Sequence, residues 1–168
     1  MKFTIQNMKR LLFALSLIIV AGCTKAQTFI PNYKILKTDS TYTTAAALKK
    51  NKPVMIVYFA PDCGHCQHLA GEMKPKLAQF KNTQIVFITF TRTEYPYLNM
   101  IRDFVKTYGF DKYPNITTGT EYPTYKVQQF YKIKNTPFIA IYDHTGTLLK
   151  SYEKVPKVDE ILATLKKA

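Results

Sequence analysis

The sequence is poor in the residues that build metal centres. Among its 168 residues there are three cysteines and three histidines. A four-cysteine zinc site needs two paired motifs. Here one Cys-x-x-Cys pair, Cys63 and Cys66, is accompanied only by the distant Cys23. No methionine-rich tract is present to strengthen a case for copper handling. The leading apolar run, Leu11–Val20, is interrupted only by Ser16 and is about half the length a helix needs to span a bilayer. Acidic residues are few, 11 against 24 basic ones, which leaves a net charge of +13. The excess lysines are dispersed and no nucleic-acid motif goes with them, so they read as solvated surface, with a weak attraction to anionic lipid head groups as a second role. Internal repeats and low-complexity tracts are absent. What remains, at 46% hydrophobic residues, suits one domain with its own core.

The chain is organised around residues 54–80. Val54-Met55-Ile56-Val57-Tyr58-Phe59 is an unbroken apolar run, the pattern of a central strand covered on both faces. Pro61 ends it. Cys66, Leu69, Ala70, Met73, Leu77 and Phe80 then fall on one face of a helix. Cys63 is placed at the helix N-terminus and Cys66 one turn in. Free backbone N–H groups and the positive end of the helix dipole favour a thiolate at Cys63. Gly64 is expected to let the chain turn tightly, and a protonated His65 adds positive charge. Cys66, on the apolar face, is expected to be the more buried thiol. Three chemistries fit the pair: a redox-active dithiol, a fixed structural disulfide, or half of a zinc or copper site completed by His65 or His68. The strand–Cys-x-x-Cys–helix context favours the first.

Cys63-Gly64-His65-Cys66 resembles the active site of the thioredoxin superfamily, and of protein disulfide isomerases in particular; Gln67-His68-Leu69-Ala70 continues the resemblance. It covers about the last three quarters of the chain, with Thr136-Pro137 as its second anchor. The resemblance implies an α/β thioredoxin-like fold with a central mixed sheet of about five strands flanked by helices. It implies a thiol–disulfide oxidoreductase with Cys63 as nucleophile and Cys66 as resolving thiol, and no cofactor. Pro137 would be cis and lie against the cysteine pair, with Thr136 presenting its backbone to a substrate. Three positions depart from the family. Asp62 replaces a tryptophan, Val57 replaces a buried aspartate that assists the inner cysteine, and Gly71 replaces a helix proline, with Pro75 four residues on.

Met1–Arg10 is basic and precedes the apolar run, as in a secretory signal. Its end, Val20-Ala21-Gly22-Cys23, resembles the bacterial lipobox. Residues 1–22 are therefore expected to be removed and Cys23 lipidated, which also accounts for the odd cysteine. Cleavage after Ala26 is the alternative. Export places the domain where disulfide chemistry is normal. Residues 23–32 read as a linker and 33–168 as the domain. Within it, Tyr33–Lys37 is a weak strand and Thr41–Lys50 a short helix capped from Asp39, Ser40 or Thr41. Gln84–Phe90 is a second buried strand, which with the first would give parallel β-α-β-α-β units. Tyr95–Tyr108 is a helix ended by Gly109. Residues 110–123 are irregular and Thr124–Tyr131 a short helix, so that 91–134 amounts to an insertion. A strand through Tyr142 follows Pro137, Asp143–Gly146 is a hairpin turn, Thr147–Tyr152 pairs back, and Val158–Lys167 is the last helix. Tyr113, Tyr122 or their neighbours are expected to line a substrate or partner groove near Cys63, the alternative being a flap that covers the sheet edge.

The expected partners are cysteine-containing exported proteins, an unnamed redox partner, and the membrane through Cys23. Metal binding through Cys63, Cys66 and a histidine, or a redox-inactive anchored interaction module, are the competing functions.

Overall fold

The computed structural model describes residues 29–94 and 96–168. The expected signal segment, Cys23 and most of the expected linker lie outside the described residues, as does Tyr95 at the start of the expected helix. Seven strands form one sheet in the order β2-β1-β5-β4-β3-β6-β7. They are β1 (Lys34–Lys37), β2 (Tyr42–Thr44), β3 (Val54–Phe59), β4 (Gln84–Thr89), β5 (Ile116–Thr120), β6 (Phe138–Tyr142) and β7 (Leu148–Tyr152). The helices are α1 (Gly64–Met73), α2 (Tyr97–Tyr108), α3 (Lys126–Tyr131) and α4 (Val158–Leu165).

β3 lies in the middle of the sheet, parallel to β4 and antiparallel to β6. Its unbroken apolar run follows from burial on both faces. Met55, Val57 and Phe59 face α1, α2 and α4, together with Cys66, Leu69, Met73, Phe104 and Ile161. Val54, Ile56 and Tyr58 face the other way, onto Tyr33, Ile35, Val127 and Tyr131. Side chains alternate across the sheet, and each half of the strand has its own core. Among the described residues no buried side-chain nitrogen or oxygen lacks a partner. Among the described residues, every strand pairing and both core layers fall within residues 29–168.

Three sequence-based expectations change. The sheet has seven strands rather than about five, because two short ones were hidden. Thr41–Lys50 is not a helix. Tyr42–Thr44 pairs antiparallel with β1, and only Ala45–Ala47 makes a 3₁₀ turn. Asp39 does cap, but it caps the hairpin turn, accepting bonds from the Thr41 N–H (2.9 Å) and hydroxyl (2.6 Å), while Ser40 adopts φ 67°. Residues 116–120, expected to be irregular, form β5, parallel to β4. β5 separates β1 from β4, so β1 joins the sheet antiparallel to β5 and not as the first strand of a β-α-β unit. The segment 91–134 thus supplies α2 on one face of the sheet, β5 within it and α3 on the other face.

The helix after the cysteines is also in two parts. Pro75 has no N–H for the carbonyl one turn back, and residues Lys74–Phe80 tighten into a 3₁₀ helix. Leu77 and Phe80, three apart, stay on the buried face, as the three-residue period requires. α2 stops at Gly109 in the left-handed conformation, φ 72°. α4 ends at Leu165, shorter than expected, with Val158 and Ile161 buried.

Candidate active site

β3 delivers the chain to the end of the sheet, where Ala60 and Pro61 are buried and Asp62 is exposed. The Gln67 side-chain amide donates to the Pro61 carbonyl at 2.9 Å, tying the loop to the first turn of α1. Cys63 is the N-cap of that helix, with extended backbone angles of φ −78° and ψ 117°. Its sulfur takes the place usually held by a Ser or Asp oxygen. It accepts the Cys66 N–H at 3.4 Å. Both thiols are reduced; Cys63 is half-buried and Cys66 buried.

The two sulfurs have opposite acidities. At Cys63 burial pulls the thiol up, but the side chains of Cys66 and Thr136 and the backbone N–H groups of Cys66 and His65 outweigh it, and the thiol stands below its ordinary value. Bonds donated to the charged form favour it. Cys66 is pushed up to about 12, first by burial and then by hydrogen bonding to Cys63. It sits against the core with Leu69, Met73 and Val57, and no carboxylate acts on it.

Thr136 and Pro137 come from the far side of the sheet, at the start of β6. The Thr136–Pro137 bond is cis. The Thr136 carbonyl accepts a bond from the Cys63 thiol at 3.4 Å. The backbone group expected to face a substrate is thus engaged by the nucleophile candidate itself. The structure brings Cys63, Cys66, Thr136 and Pro137 together, and His65 joins them through its backbone N–H while its side chain is exposed.

Gly64 needs correction. A Cβ built there meets nothing within 4 Å, and its φ is not positive. It is an ordinary first helical residue, and no tight turn depends on it. His68 lies on the outer face, 3.6 Å from Glu72, away from the sulfurs. Among the described residues no three His, Cys, Asp or Glu side chains converge.

The groove beside Cys63 is lined by a neighbour of Tyr122, Tyr125, and not by Tyr113 or Tyr122 themselves. Tyr113 lies at the opposite pole, in a cavity lined with Thr83, Gln84 and Asn115. Tyr122 reaches the site only indirectly, edge-on to Tyr125 at 6.0 Å. Tyr125 itself lines a cleft of about 430 Å³ with Ala60, Asp62, Phe90, Arg92 and Tyr97. Glu121 organises one wall. This carboxylate, 1% exposed, accepts the Tyr58 hydroxyl at 2.8 Å and the Val127 N–H at 2.7 Å. Tyr58 in turn stacks on Phe90, ring centres 6.0 Å apart. Glu121 carried no motif, and only its position between a strand and a helix start could have pointed to it.

Comparison with known proteins agrees with this geometry. Residues 42–168 match the thioredoxin-like domain family. Human protein disulfide-isomerase A2 is 29% identical over 91 residues, 51% of this chain; the chain spans only 17% of that protein's length. A secreted Mycobacterium tuberculosis disulfide oxidoreductase homologous to Escherichia coli DsbE superposes with TM-score 0.66 at 18% identity, covering 81% of this chain and 96% of that one. The exposed lipoprotein thioredoxin Etrx1 of Streptococcus pneumoniae gives 0.60 at 20% identity, covering 82% and 99%.

Proposed function

This chain belongs to the thioredoxin-like family, and from that premise we propose that it is an exported, lipid-anchored thiol–disulfide oxidoreductase acting on cysteine-containing proteins of the bacterial envelope. The observation that carries the reading is the division of acidity within one motif. A half-buried thiol held low at a helix N-cap stands beside a buried thiol held high, with a backbone carbonyl from the cis-proline loop touching the first.

The reaction follows from that division. Cys63 loses its proton, and with it the bond to the Thr136 carbonyl, freeing that carbonyl. The thiolate attacks one sulfur of a substrate disulfide. A Cys63–substrate S–S bond forms, the substrate S–S bond breaks, and the second substrate sulfur leaves as a thiolate. Cys66 then gives up its proton and attacks the Cys63 sulfur. The Cys63–Cys66 disulfide forms and the substrate departs as a dithiol. Two electrons and two protons pass from protein to substrate, and the reverse sequence oxidises it. Val57 supplies no carboxylate for the Cys66 proton, so the second step is the slow one. Glu72, on the outer face with His68, is poorly placed to help, which leaves the departing thiolate, His65 or water.

Export rests on the basic and apolar leader, and the anchor on Val20-Ala21-Gly22-Cys23. Among the described residues no helix is long and apolar enough to cross a membrane. Cys66→Ser should accumulate mixed disulfides between Cys63 and envelope proteins on non-reducing gels, and Cys63→Ser should trap little. Insulin reduction with dithiothreitol should be lost in both. Retained activity in Cys63→Ser would refute the assignment.

A further inference from the structure

The pole of the sheet opposite the cysteines carries a second set of features that the thiol chemistry does not use. β3 runs from Val54 at this pole to Phe59 beneath Cys63, a separation of about 16 Å at 3.3 Å per residue. Three adjoining cavities open here, of about 400, 620 and 450 Å³, and Lys52 lines all three. Lys49, Lys50, Lys81 and Lys166 complete their cationic lining. The one acidic side chain among these walls is Asp159, already bound to Lys76 at 2.6 Å.

The first cavity holds no acidic residue at all. Its wall includes Tyr33, a core residue 2% exposed. Its ring stands in that wall with Lys49, Lys52 and Lys81. The site is also fixed in shape, because the Gln84 amide clasps both the N–H (2.6 Å) and the carbonyl (3.0 Å) of Lys49.

The described chain begins at this same pole, where Phe29, 69% exposed, bridges to Thr147, next to the Asp143–Gly146 turn.

We propose that this pole docks on an anionic lipid surface, with a phosphate head group seated in the Tyr33–Lys49–Lys52–Lys81 cavity. Ammonium groups and a hydroxyl donor suit a phosphodiester oxygen, and clustered lysines near a membrane interface add their attractions. The cysteines would then face away from the bilayer, toward proteins in solution. The inference does not depend on the thiol chemistry.

The test is sedimentation of residues 23–168 carrying Cys23→Ser, which keeps the expected mature chain without a lipid, with vesicles of pure phosphatidylcholine and of phosphatidylcholine with 30% phosphatidylglycerol. Binding is expected to the second only, and to weaken as salt rises. Lys49→Gln/Lys52→Gln/Lys81→Gln should weaken it on the order of 100-fold. Lys126→Gln/Lys132→Gln/Lys154→Gln, which removes equal charge elsewhere, should keep most of it. Tyr33→Phe should weaken it several-fold with all charges retained. Equal binding to both vesicles, equal loss in the two triple variants, or binding of soluble glycerol phosphate without vesicle binding would each overturn the proposal. Thermal unfolding of each variant separates lost binding from lost fold.

Discussion

Alkylation of the reduced protein by iodoacetamide at pH 7 should fall on Cys63 first, by a margin that can be worked out. Cys66 stands at about 12, so its thiolate fraction at pH 7 is about 10⁻⁵. Cys63 lies below its ordinary value of 9.0, so its fraction is at least about 10⁻². The thiolate populations differ by at least roughly 1000-fold in favour of Cys63. Intrinsic nucleophilicity works the other way. With a Brønsted slope of about 0.45, three units of basicity make the Cys66 thiolate about 20-fold the better nucleophile. The population wins, leaving at least about 50-fold for Cys63. Burial of Cys66, 2% exposed, widens the margin. Quenched labelling followed by peptide mass spectrometry reads both sites in one sample. Cys63 labelling should rise about tenfold per pH unit and level off below pH 9. Cys66 should still be rising at pH 10. If Cys66 labels first, or if Cys63 levels off above pH 9, the contrast between the two sulfurs is not the one derived from these contacts.

Glu121→Ala removes the acceptor for a buried tyrosine hydroxyl and two backbone N–H groups; a loss of about 3–5 kcal/mol is expected in urea unfolding, with Glu121→Gln losing less. The Cys63–Cys66 potential should lie between about −270 and −180 mV, nearer the upper figure, because bonds to the Cys63 thiolate stabilise the reduced form. His65→Pro removes both the imidazole and an N–H that helps hold that thiolate, and equilibration with glutathione should show the potential falling toward the thioredoxin end. The raised Cys66 value means that folding stability from this thiol is intact below about pH 9, its ordinary value, and is lost as pH climbs toward 12; Cys66→Ala should flatten that alkaline slope in thermal melts. Mass spectrometry of the processed protein should find acyl chains on Cys23, and an unmodified chain starting at Gln27 would remove the anchor.

The parts of the fold that could be read from the sequence were those whose signal is local. The run from Val54 to Phe59 and the spacing from Cys66 to Phe80 located β3 and the buried face of α1, and Thr136-Pro137 located the loop that meets Cys63. β5 was hidden because Ile116-Thr117-Thr118-Gly119-Thr120 has little apolar content and a glycine that reads as a breaker. The structure gives that glycine a packing reason: a Cβ on Gly119 would stand 2.5 Å from the Leu36 carbonyl oxygen of β1. β2 was hidden because Ala45-Ala46-Ala47 favours a helix, while the pairing of Tyr42–Thr44 with β1 decides otherwise. The cleft beside Cys63 draws on β4, α2 and the β5–α3 junction, and no sequence window contains all of these. Tyr113 and Tyr122 stand out in the sequence as exposed-looking aromatics in the segment that leads to Thr136-Pro137, and neither property says which pole they occupy.

The place of β5 between β4 and β1 also dictates an order of assembly. β3, α1 and β4 are contiguous in sequence and can close on one another through short loops. β1 and β2 pair with each other at once, but their hairpin has no seat in the sheet until β5 exists. Their nearest pairing with β5, Lys37 with Gly119, spans 82 residues (119 − 37), a closure that costs entropy before any pairing repays it. A chain made from its N-terminus therefore delivers this hairpin before β3 and β4 and docks it only once β5 has been made. During that interval the margins of β5 and β1 stand unpaired, and a slow step in refolding should track the arrival of β5 and not the closing of the dithiol helix.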